Sequence, residues 1–251
     1  MIVIKNRLEL DKMRAAGRKL AVIMGDLGDN VIAGVTTLEL DGLIEDRMRK
    51  SGLLPVCKGY AGYKHATCIS LNNEVIHGVP SHKIVLKSGD FVKIDVAGSY
   101  EGYCADMTRY FFVSKVDLKV KRLAAVAQWA LDLAIAEIAP GKHLFDISEC
   151  IQRVVEKEGF GIVRDFAGHG IGKRLHEDPE VPNFGKAGQG PVLREGMVFA
   201  IEPMITEGDY AVKVASDGWT VRTVDGGLAA HVEDTVAVVK DGAEVLTRLG
   251  V

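Results

Sequence analysis

Two stretches of this chain repeat one pattern, and the repeat limits the folds that are possible. Gly34 to Gly52 (GVTTLELDGLIEDRMRKSG) and Gly141 to Gly159 (GKHLFDISECIQRVVEKEG) have the same length, similar apolar spacing and an offset of 107 residues. Thr36 and Glu39 form a capping box that predicts the start of the first helix, and Gly52 predicts its end. Coincidence between two ordinary amphipathic helices is the alternative. A duplicated unit instead favours two similar halves with a site between them.

Each half is predicted to contain two helices followed by strands. Apolar residues recur at helical spacing from Met13 to Leu27, and a second long helical stretch runs from Asp117 to about Ile138. Pro140 ends that stretch, and the helix of the second repeat is predicted from about Asp146 to Glu158. The strand segments are FVKIDVAG and CADMTRYFFV in the first half, and GMVFAIEPMI and HVEDTVAVV in the second.

The composition of the 251 residues excludes several classes of protein. The chain has 31 Lys+Arg against 34 Asp+Glu, and the basic residues are scattered, which argues against nucleic acid as the main ligand. Four cysteines without a C-x-x-C pair are too few for a disulfide framework, so we expect reduced thiols and a cytoplasmic protein. Charged and polar residues interrupt the most apolar stretches, so no membrane span or signal peptide is expected.

Two carboxylates of the first half are predicted to face each other. The segment IDVAGSYEGYCAD predicts a β-hairpin that turns at Tyr100-Glu101, and in that register Asp95 lies directly opposite Asp106. Side chains opposed in this way have Cβ atoms about 5 Å apart, where like charges destabilise the pair. The flanking residues are apolar, and burial would strengthen the repulsion. Lys93 and Arg109 are the nearest cations in the sequence, and neither needs to point inward.

The second half repeats this arrangement. Asp217-Gly218 is typical of a two-residue hairpin turn, and a symmetric register about it brings Glu202 opposite Glu233, unless Gly226-Gly227 inserts a bulge. Glu202 also lies 107 residues after Asp95. Taken singly, each carboxylate is better explained by a salt bridge or an exposed strand position. Four acidic groups on apolar strands together favour bound divalent metal ions.

Three of the seven histidines lie in Gly-rich or turn-like contexts. They are His77 in NEVIHGVP, His169 in FAGHGIG and His176 in RLHEDP. Imidazole is a common ligand of transition metals and a general acid or base near neutral pH. A single histidine beside glycine is more often a hydrogen-bonded loop residue, and GHGIG lacks the following helix of a dinucleotide site.

Taken in order, six motifs of this chain resemble those of the type I methionine aminopeptidases. They are NEVIHGVP, KIDVAG, CADMTRYF, GHGIGKRLHEDP, AIEPM and HVEDT, and the resemblance extends over essentially the whole chain. It implies an α+β pita-bread fold with a curved antiparallel sheet. It also implies a single catalytic domain over residues 1–251, with pseudo-symmetric halves of roughly 1–110 and 111–251. The short stretch from His176 to Glu202 leaves no room for the helical insertion of type II enzymes.

The resemblance also implies a reaction, the hydrolytic removal of the initiator methionine from nascent proteins. Two divalent cations, Mn, Fe, Co or Zn, would bind a bridging water or hydroxide that acts as the nucleophile. The implied metal ligands are Asp95, Asp106, His169, Glu202 and Glu233. Asp106 and Glu233 would bridge both cations. An N/O ligand set of this kind does not specify which metal is used.

Further residues receive roles from the same resemblance. Glu202 would also shuttle a proton, His176 would stabilise the oxyanion, and His77 would contact the peptide nitrogen. The methionine side chain would occupy a pocket formed by Cys57, Tyr60, Tyr63, Cys68, Leu175 and Trp219. Leu175 departs from the pattern, because relatives usually have Phe there.

The expected partners are nascent polypeptides that begin with Met, with a transient ribosome contact, and the enzyme is expected to be a monomer. One competing interpretation is a proline-directed aminopeptidase or prolidase of the same fold, although those enzymes usually carry an N-terminal domain. Another is an inactive module of this fold that binds peptides, ribosomes or other proteins. Such a module would not need the five ligands.

Overall fold

The structure is a computed structural model that describes residues 1–250. Within this range it contains the helices α1 (Arg7–Gly25), α2 (Thr37–Lys50), α3 (Leu118–Ala136) and α4 (Leu144–Lys157). The strands are β1 (Leu54–Pro55), β2 (Thr67–Leu71), β3 (Glu74–Ile76), β4 (Phe91–Tyr100), β5 (Tyr103–Phe112), β6 (Gly161–Ile162), β7 (Ala167–Gly170), β8 (Glu177–Pro182), β9 (Val198–Ile201), β10 (Met204–Thr206), β11 (Val212–Val214), β12 (Val221–Thr223), β13 (Ala229–His231), β14 (Asp234–Val239) and β15 (Gly242–Val245). None of the described helices is long and apolar enough to cross a membrane.

The predicted helix boundaries are confirmed within a few residues, because the capping residues are used as expected. Thr36 caps α2 with the predicted Glu39 capping box, and Gly52 follows the helix with a left-handed φ of 80°. Helix α4 begins two residues earlier than predicted. Asp146 occupies its third position and accepts a hydrogen bond from the backbone N–H of His143 before the helix.

The repeated segments have the same structure. Helices α2 and α4 are each 14 residues long and begin 107 residues apart. The residue before each helix forms an isolated antiparallel bridge with a later segment, Thr36 with Val85 and His143 with Val192, and these partners are again 107 residues apart. The two halves therefore anchor corresponding helices in the same way.

The helices pack on strands that carry acidic groups on their opposite face. In the first half β4 pairs with β1, β2 and β5, and in the second half the strand order is β15-β14-β9-β7-β8. Val92, Ile94 and Val96 of β4 belong to the apolar cluster that also contains residues of α1 and α2. Because side chains alternate along a strand, Asp95 points to the other face. A second cluster joins α3 and α4 to the second-half sheet.

Candidate active site

The first-half hairpin places Asp95 and Asp106 on one face, but not directly opposite each other. Asp95 pairs with Thr108 and Asp106 pairs with Ala97, so the predicted direct opposition is wrong, and the partner of Asp95 lies two residues beyond the predicted one. The turn is Glu101-Gly102 rather than Tyr100-Glu101, because its two central residues have φ of 48° and 81° and glycine adopts such angles without strain. The two aspartates are consequently diagonal neighbours, and their carboxyl groups still interact.

In the second half the predicted register is confirmed. Met204 pairs with His231 and Val212 pairs with Thr223, which is the symmetric register about Asp217-Gly218. Gly226-Gly227 introduces no net shift, since the register is the same on both sides of it. The ladder is interrupted only locally around Glu202 and Glu233. Strands β9 and β10 are separate there because Pro203 has no N–H to donate.

The backbone of Glu233 bonds to the first half of the molecule. Glu233 and Thr108 exchange two backbone hydrogen bonds of 3.2 and 3.3 Å. Two residues away, Asp106 N donates to Thr235 Oγ1 at 2.8 Å, and that hydroxyl donates to the backbone oxygen of Asp106 at 2.7 Å. These bonds join β5 to β14 and bring the acidic residues of both halves to one place.

His169 of β7 completes the cluster. Its Nε2 lies 3.9 Å from Asp106 Oδ2 and 3.8 Å from Glu202 Oε1. Potential ligand atoms of Asp106, His169 and Glu233 lie within 4.8 Å of one another, and all three residues are buried. The Nδ1 of His169 lies 2.9 Å from the backbone oxygen of Gly170, so Nε2 is the nitrogen free to bind a metal ion.

Burial raises the pKa of all four carboxyl groups of the cluster. It raises the pKa of Asp106 to about 6. The pKa values of Asp95, Glu202 and Glu233 are raised well above the ordinary range, first by burial and then by the neighbouring carboxylates. The pKa of His169 is lowered to about 4, chiefly by burial, so its imidazole is neutral near pH 7.

The nearby basic side chains do not neutralise these carboxylates. Lys93 lies on the same face of β4 as Asp95, but its Nζ donates to the backbone oxygen of Asn72 at 3.0 Å, and burial lowers its pKa to about 7. Arg109 lies on the other face and forms a 2.6 Å ion pair with Asp234.

The acidic cluster also contains polar atoms without partners. Oδ1 of Asp106 and Oε1 of Glu233 are buried and have no hydrogen-bond partner among residues 1–250. Buried oxygens in this state are costly unless a cation binds them. The donor set of one imidazole and several carboxylates therefore fits divalent transition metals.

His77 and His176 lie next to the cluster. The rings of His176 and His169 have centroids 4.3 Å apart, and His176 also contacts Tyr60 at 5.0 Å. Burial lowers the pKa of His77 to about 4 and lowers that of His176 as well. Both imidazoles are therefore neutral near pH 7, and each can donate one N–H to a substrate.

A cavity of about 120 Å³ opens beside these histidines. Every residue predicted for the methionine pocket lines this cavity, namely Cys57, Tyr60, Tyr63, Cys68, Leu175 and Trp219. His77, His176, Asp95 and Asp106 line it as well. Cys68 pairs with Asp95 across β2 and β4, so the wall of the cavity adjoins the acidic cluster directly. Tyr63 and Trp219 form an edge-to-face pair at 4.9 Å.

Hydrogen bonds to Asp41 hold the loop that forms one wall of the cavity. This residue was not identified from the sequence. Asp41 Oδ1 accepts hydrogen bonds from Ala66 N, Thr67 N and Thr67 Oγ1, at 2.9 to 3.0 Å. Its other oxygen lies 3.1 Å from His65 Nδ1. An acidic residue near the start of a predicted amphipathic helix resembles an ordinary surface residue, so no sequence signal distinguishes it.

Thr108 and His231 were also missed, although both lie inside quoted motifs. Thr108 Oγ1 donates to Glu233 Oε2 at 3.0 Å. His231 Nε2 lies 3.3 Å from Glu202 Oε2. The signal was the alternation of the strands, which puts each of them on the same face as a predicted ligand.

Comparison with known proteins agrees with this geometry. The model of metallopeptidase family M24 matches residues 11–240. The methionine aminopeptidase of Clostridium acetobutylicum is 45% identical over 247 residues, which are 98% of this chain and 99% of that protein. The crystal structure of methionine aminopeptidase from Thermotoga maritima has a TM-score of 0.97 at 44% identity and covers 99% of this chain and 100% of that one.

A more distant structure extends the agreement to the fold alone. The prolidase from Pyrococcus furiosus has a TM-score of 0.81 at 23% identity, and the match covers 99% of this chain and 66% of that one. The expected α+β pita-bread fold is confirmed by these structures together. The chain belongs to metallopeptidase family M24 and, within it, to the methionine aminopeptidases.

Proposed function

We propose that this chain hydrolyses the bond after the N-terminal methionine of nascent proteins and peptides, at a centre that holds two divalent cations. The single observation that carries the proposal is the meeting of four buried carboxylates and one neutral histidine beside a small, largely apolar cavity. The names of the similar proteins support the choice of methionine.

In this proposal the cations are held by Asp95, Asp106, His169, Glu202 and Glu233. Asp106 and Glu233 would contribute to holding both ions, which is supported by their buried oxygens without other partners. Divalent cations bound there supply Lewis-acid chemistry, because they polarise a carbonyl and lower the pKa of a water. The donor set is compatible with Mn, Fe, Co or Zn.

The residues of the chain have separate tasks around the scissile bond. Glu202 takes the proton of the attacking water and passes it to the departing amine. His176 donates to the oxygen that becomes negative, and His77 contacts the peptide nitrogen. Both histidines line the cavity that would contain the methionine side chain. A narrow cavity between cysteines and aromatic rings suits an unbranched, polarisable side chain.

The cellular setting is part of the same proposal. We infer a cytoplasmic monomer, formed by one catalytic domain, that acts on new N-termini with at most transient contact with the ribosome. The four cysteines are free thiols, as a reducing compartment requires.

The test is metal analysis together with hydrolysis of Met-Ala-Ser and of a series with other first residues. We expect metal-dependent cleavage that is lost on chelation and restored by Mn²⁺ or Co²⁺, and kcat/KM at least about tenfold higher for Met than for Leu. Equal rates on Met-Ala and Leu-Ala peptides would contradict the methionine pocket. Preferential cleavage of Ala-Pro peptides would instead indicate a proline-directed enzyme, and metal-free protein without any hydrolysis would indicate a binding module.

A further inference from the structure

His231 shares one face of the second-half ribbon with two of the proposed metal ligands. It is the last residue of β13 and pairs with Met204 of β10. The next paired residues of the ribbon are Ile201 and Asp234. Glu202 directly follows Ile201, and Glu233 directly precedes Asp234. Since side chains alternate along both strands, His231, Glu202 and Glu233 project from the same face. His231 is only 2% exposed, so its imidazole is enclosed by the site.

The two carboxylate oxygens of Glu202 face different groups. Oε1 lies 3.8 Å from His169 Nε2, on the side of the acidic cluster. Oε2 lies 3.3 Å from His231 Nε2. The two groups are not aligned as a hydrogen bond, and His231 Nε2 has no other partner within residues 1–250.

Glu233 shows the same arrangement with a different donor. Thr108 Oγ1 donates to its Oε2 at 3.0 Å, while its Oε1 is buried without a partner. In each glutamate, therefore, one oxygen lies beside a buried donor and the other is left for a cation. Carboxylates that bind metals are commonly held by such hydrogen bonds, and their loss weakens metal binding.

We propose that His231 is a positioning residue for Glu202, whose Oε2 accepts a hydrogen bond from His231 Nε2–H so that Oε1 stays directed toward the metal ions. The inference rests on the proposed function, because it assigns His231 to the same metal centre. His231 itself touches neither the metal ions nor the substrate. Its effect reaches the reaction only through the orientation of Glu202.

The test compares a variant that lacks the donor with one that keeps it. His231→Leu removes the N–H, and His231→Gln retains an amide donor. Met204→Leu is the matched control, because it changes the buried cross-strand partner of His231 without a polar group. Each protein is prepared metal-free, its folding is checked by thermal unfolding, and Mn²⁺ binding is measured by calorimetry. Values of kcat and KM are then determined on Met-Ala-Ser.

We expect His231→Leu to weaken Mn²⁺ binding and lower kcat by about 10- to 100-fold, with KM changed less than about threefold. His231→Gln should recover most of both losses, and Met204→Leu should behave as the parent. If His231→Leu does not fold, His231→Met takes its place as the variant without a donor.

Two results would overturn the inference alone. One is parental Mn²⁺ affinity and turnover in the folded variant without a donor, and the other is a folded His231→Gln protein as defective as that variant. A parent protein that binds no Mn²⁺ and cleaves no Met-Ala-Ser would overturn the proposed function as well. The two failures are thus distinguishable.

Discussion

Burial determines the charge state of almost every side chain in the site. It raises the pKa of the four carboxyl groups and lowers the pKa of His77, His169, His176 and His231. For His231 the value falls to about 3. Neutral imidazoles can bind metal ions or donate a hydrogen bond, but they cannot neutralise a carboxylate. The carboxyl groups are therefore neutralised by protons in the metal-free protein and by cations when these bind.

Replacing His77 should separate metal binding from catalysis. His77 lines the cavity and packs edge-to-face on Phe166 at 6.0 Å, and it is not one of the proposed ligands. We expect His77→Ala to retain the parental content of Mn²⁺ and to lose about 100-fold or more in kcat/KM on Met-Ala-Ser, since the imidazole that contacts the reacting peptide nitrogen is removed. The exposed His82 provides the control, and His82→Ala should be unaffected. A fully active His77→Ala enzyme would disprove the assigned role.

At the residue scale, sequence reasoning found the groups that carry charge and missed those that orient them. Asp95 and Glu202 could be identified because a carboxylate between apolar strand residues needs an explanation. Thr108 and Asp41 offer no such contradiction, since Thr is common in strands and Asp is common on helix surfaces. Their functions depend on a partner from a distant segment, which only the folded chain brings near.

Turn chemistry decides how well each element could be predicted. Asp217-Gly218 fixed the register of a ribbon that extends from Val198 to Val239. In the first hairpin Gly102 likewise determines the turn. The flanking residues Tyr100 and Tyr103 gave no sequence signal for which two residues form it. A difference of one residue there changed the relation of Asp95 and Asp106 from opposite to diagonal.

A close approach between α1 and the C-terminal segment gives a prediction about two helical glycines. A Cβ at Gly17 would lie 2.2 Å from the backbone oxygen of Leu246, whereas a Cβ at Gly42 of α2 would meet nothing within 4 Å. Gly17→Ala should therefore destabilise the protein by at least about 1 kcal/mol, because the helix must move away from Leu246. Gly42→Ala should stabilise it by up to about 1 kcal/mol, from helix propensity alone.

Urea unfolding of the two variants and the parent checks this expectation. The two substitutions are chemically identical and both lie inside α-helices, so intrinsic propensity cancels in the comparison. Equal and favourable changes at both positions would show that α1 can shift without cost. That outcome would contradict the close packing of Gly17.

The whole molecule places its most costly groups where its two halves meet. The helices and bridges of each half repeat at an offset of 107 residues, yet the halves contribute different residues to the acidic cluster. One half provides Asp95 and Asp106 on a tight hairpin, and the other provides His169 of β7 together with Glu202, directly after β9, and Glu233, directly before β14. The duplication could be seen in the sequence. The exchange of backbone hydrogen bonds between Thr108 and Glu233 could not, because nothing in either segment marks its partner.

The stability of the metal-free protein should therefore depend on pH in a definite direction. The raised pKa values of Asp95, Glu202 and Glu233 mean that the folded protein keeps protons which the unfolded chain has lost. These three groups therefore stabilise the folded state at low pH, and that stabilisation is lost as the pH rises through their pKa values in the folded protein. The buried histidines act oppositely, and their effect fades over about one pH unit above 6.5 as the unfolded chain loses its histidine protons. Lys93 acts against the carboxyl groups above its folded pKa of about 7, because the folded protein then binds one proton fewer than the unfolded chain at this residue.

Above about pH 7.5, where the histidines no longer contribute, the three carboxyl groups act against a single lysine, so the Tm of metal-free protein should fall as pH rises. Saturating Mn²⁺ should raise the Tm and flatten its pH dependence, because bound cations keep the carboxylates ionised in the folded state. Glu202→Gln removes one of the three groups and should reduce the slope of the metal-free protein. Thermal unfolding at a series of pH values, with and without Mn²⁺, measures all of these effects. A metal-free Tm that stays constant or increases from about pH 7.5 to 8.5 would show that the four acidic groups are not confined together by the fold, and that the cost assigned to the junction between the halves is absent.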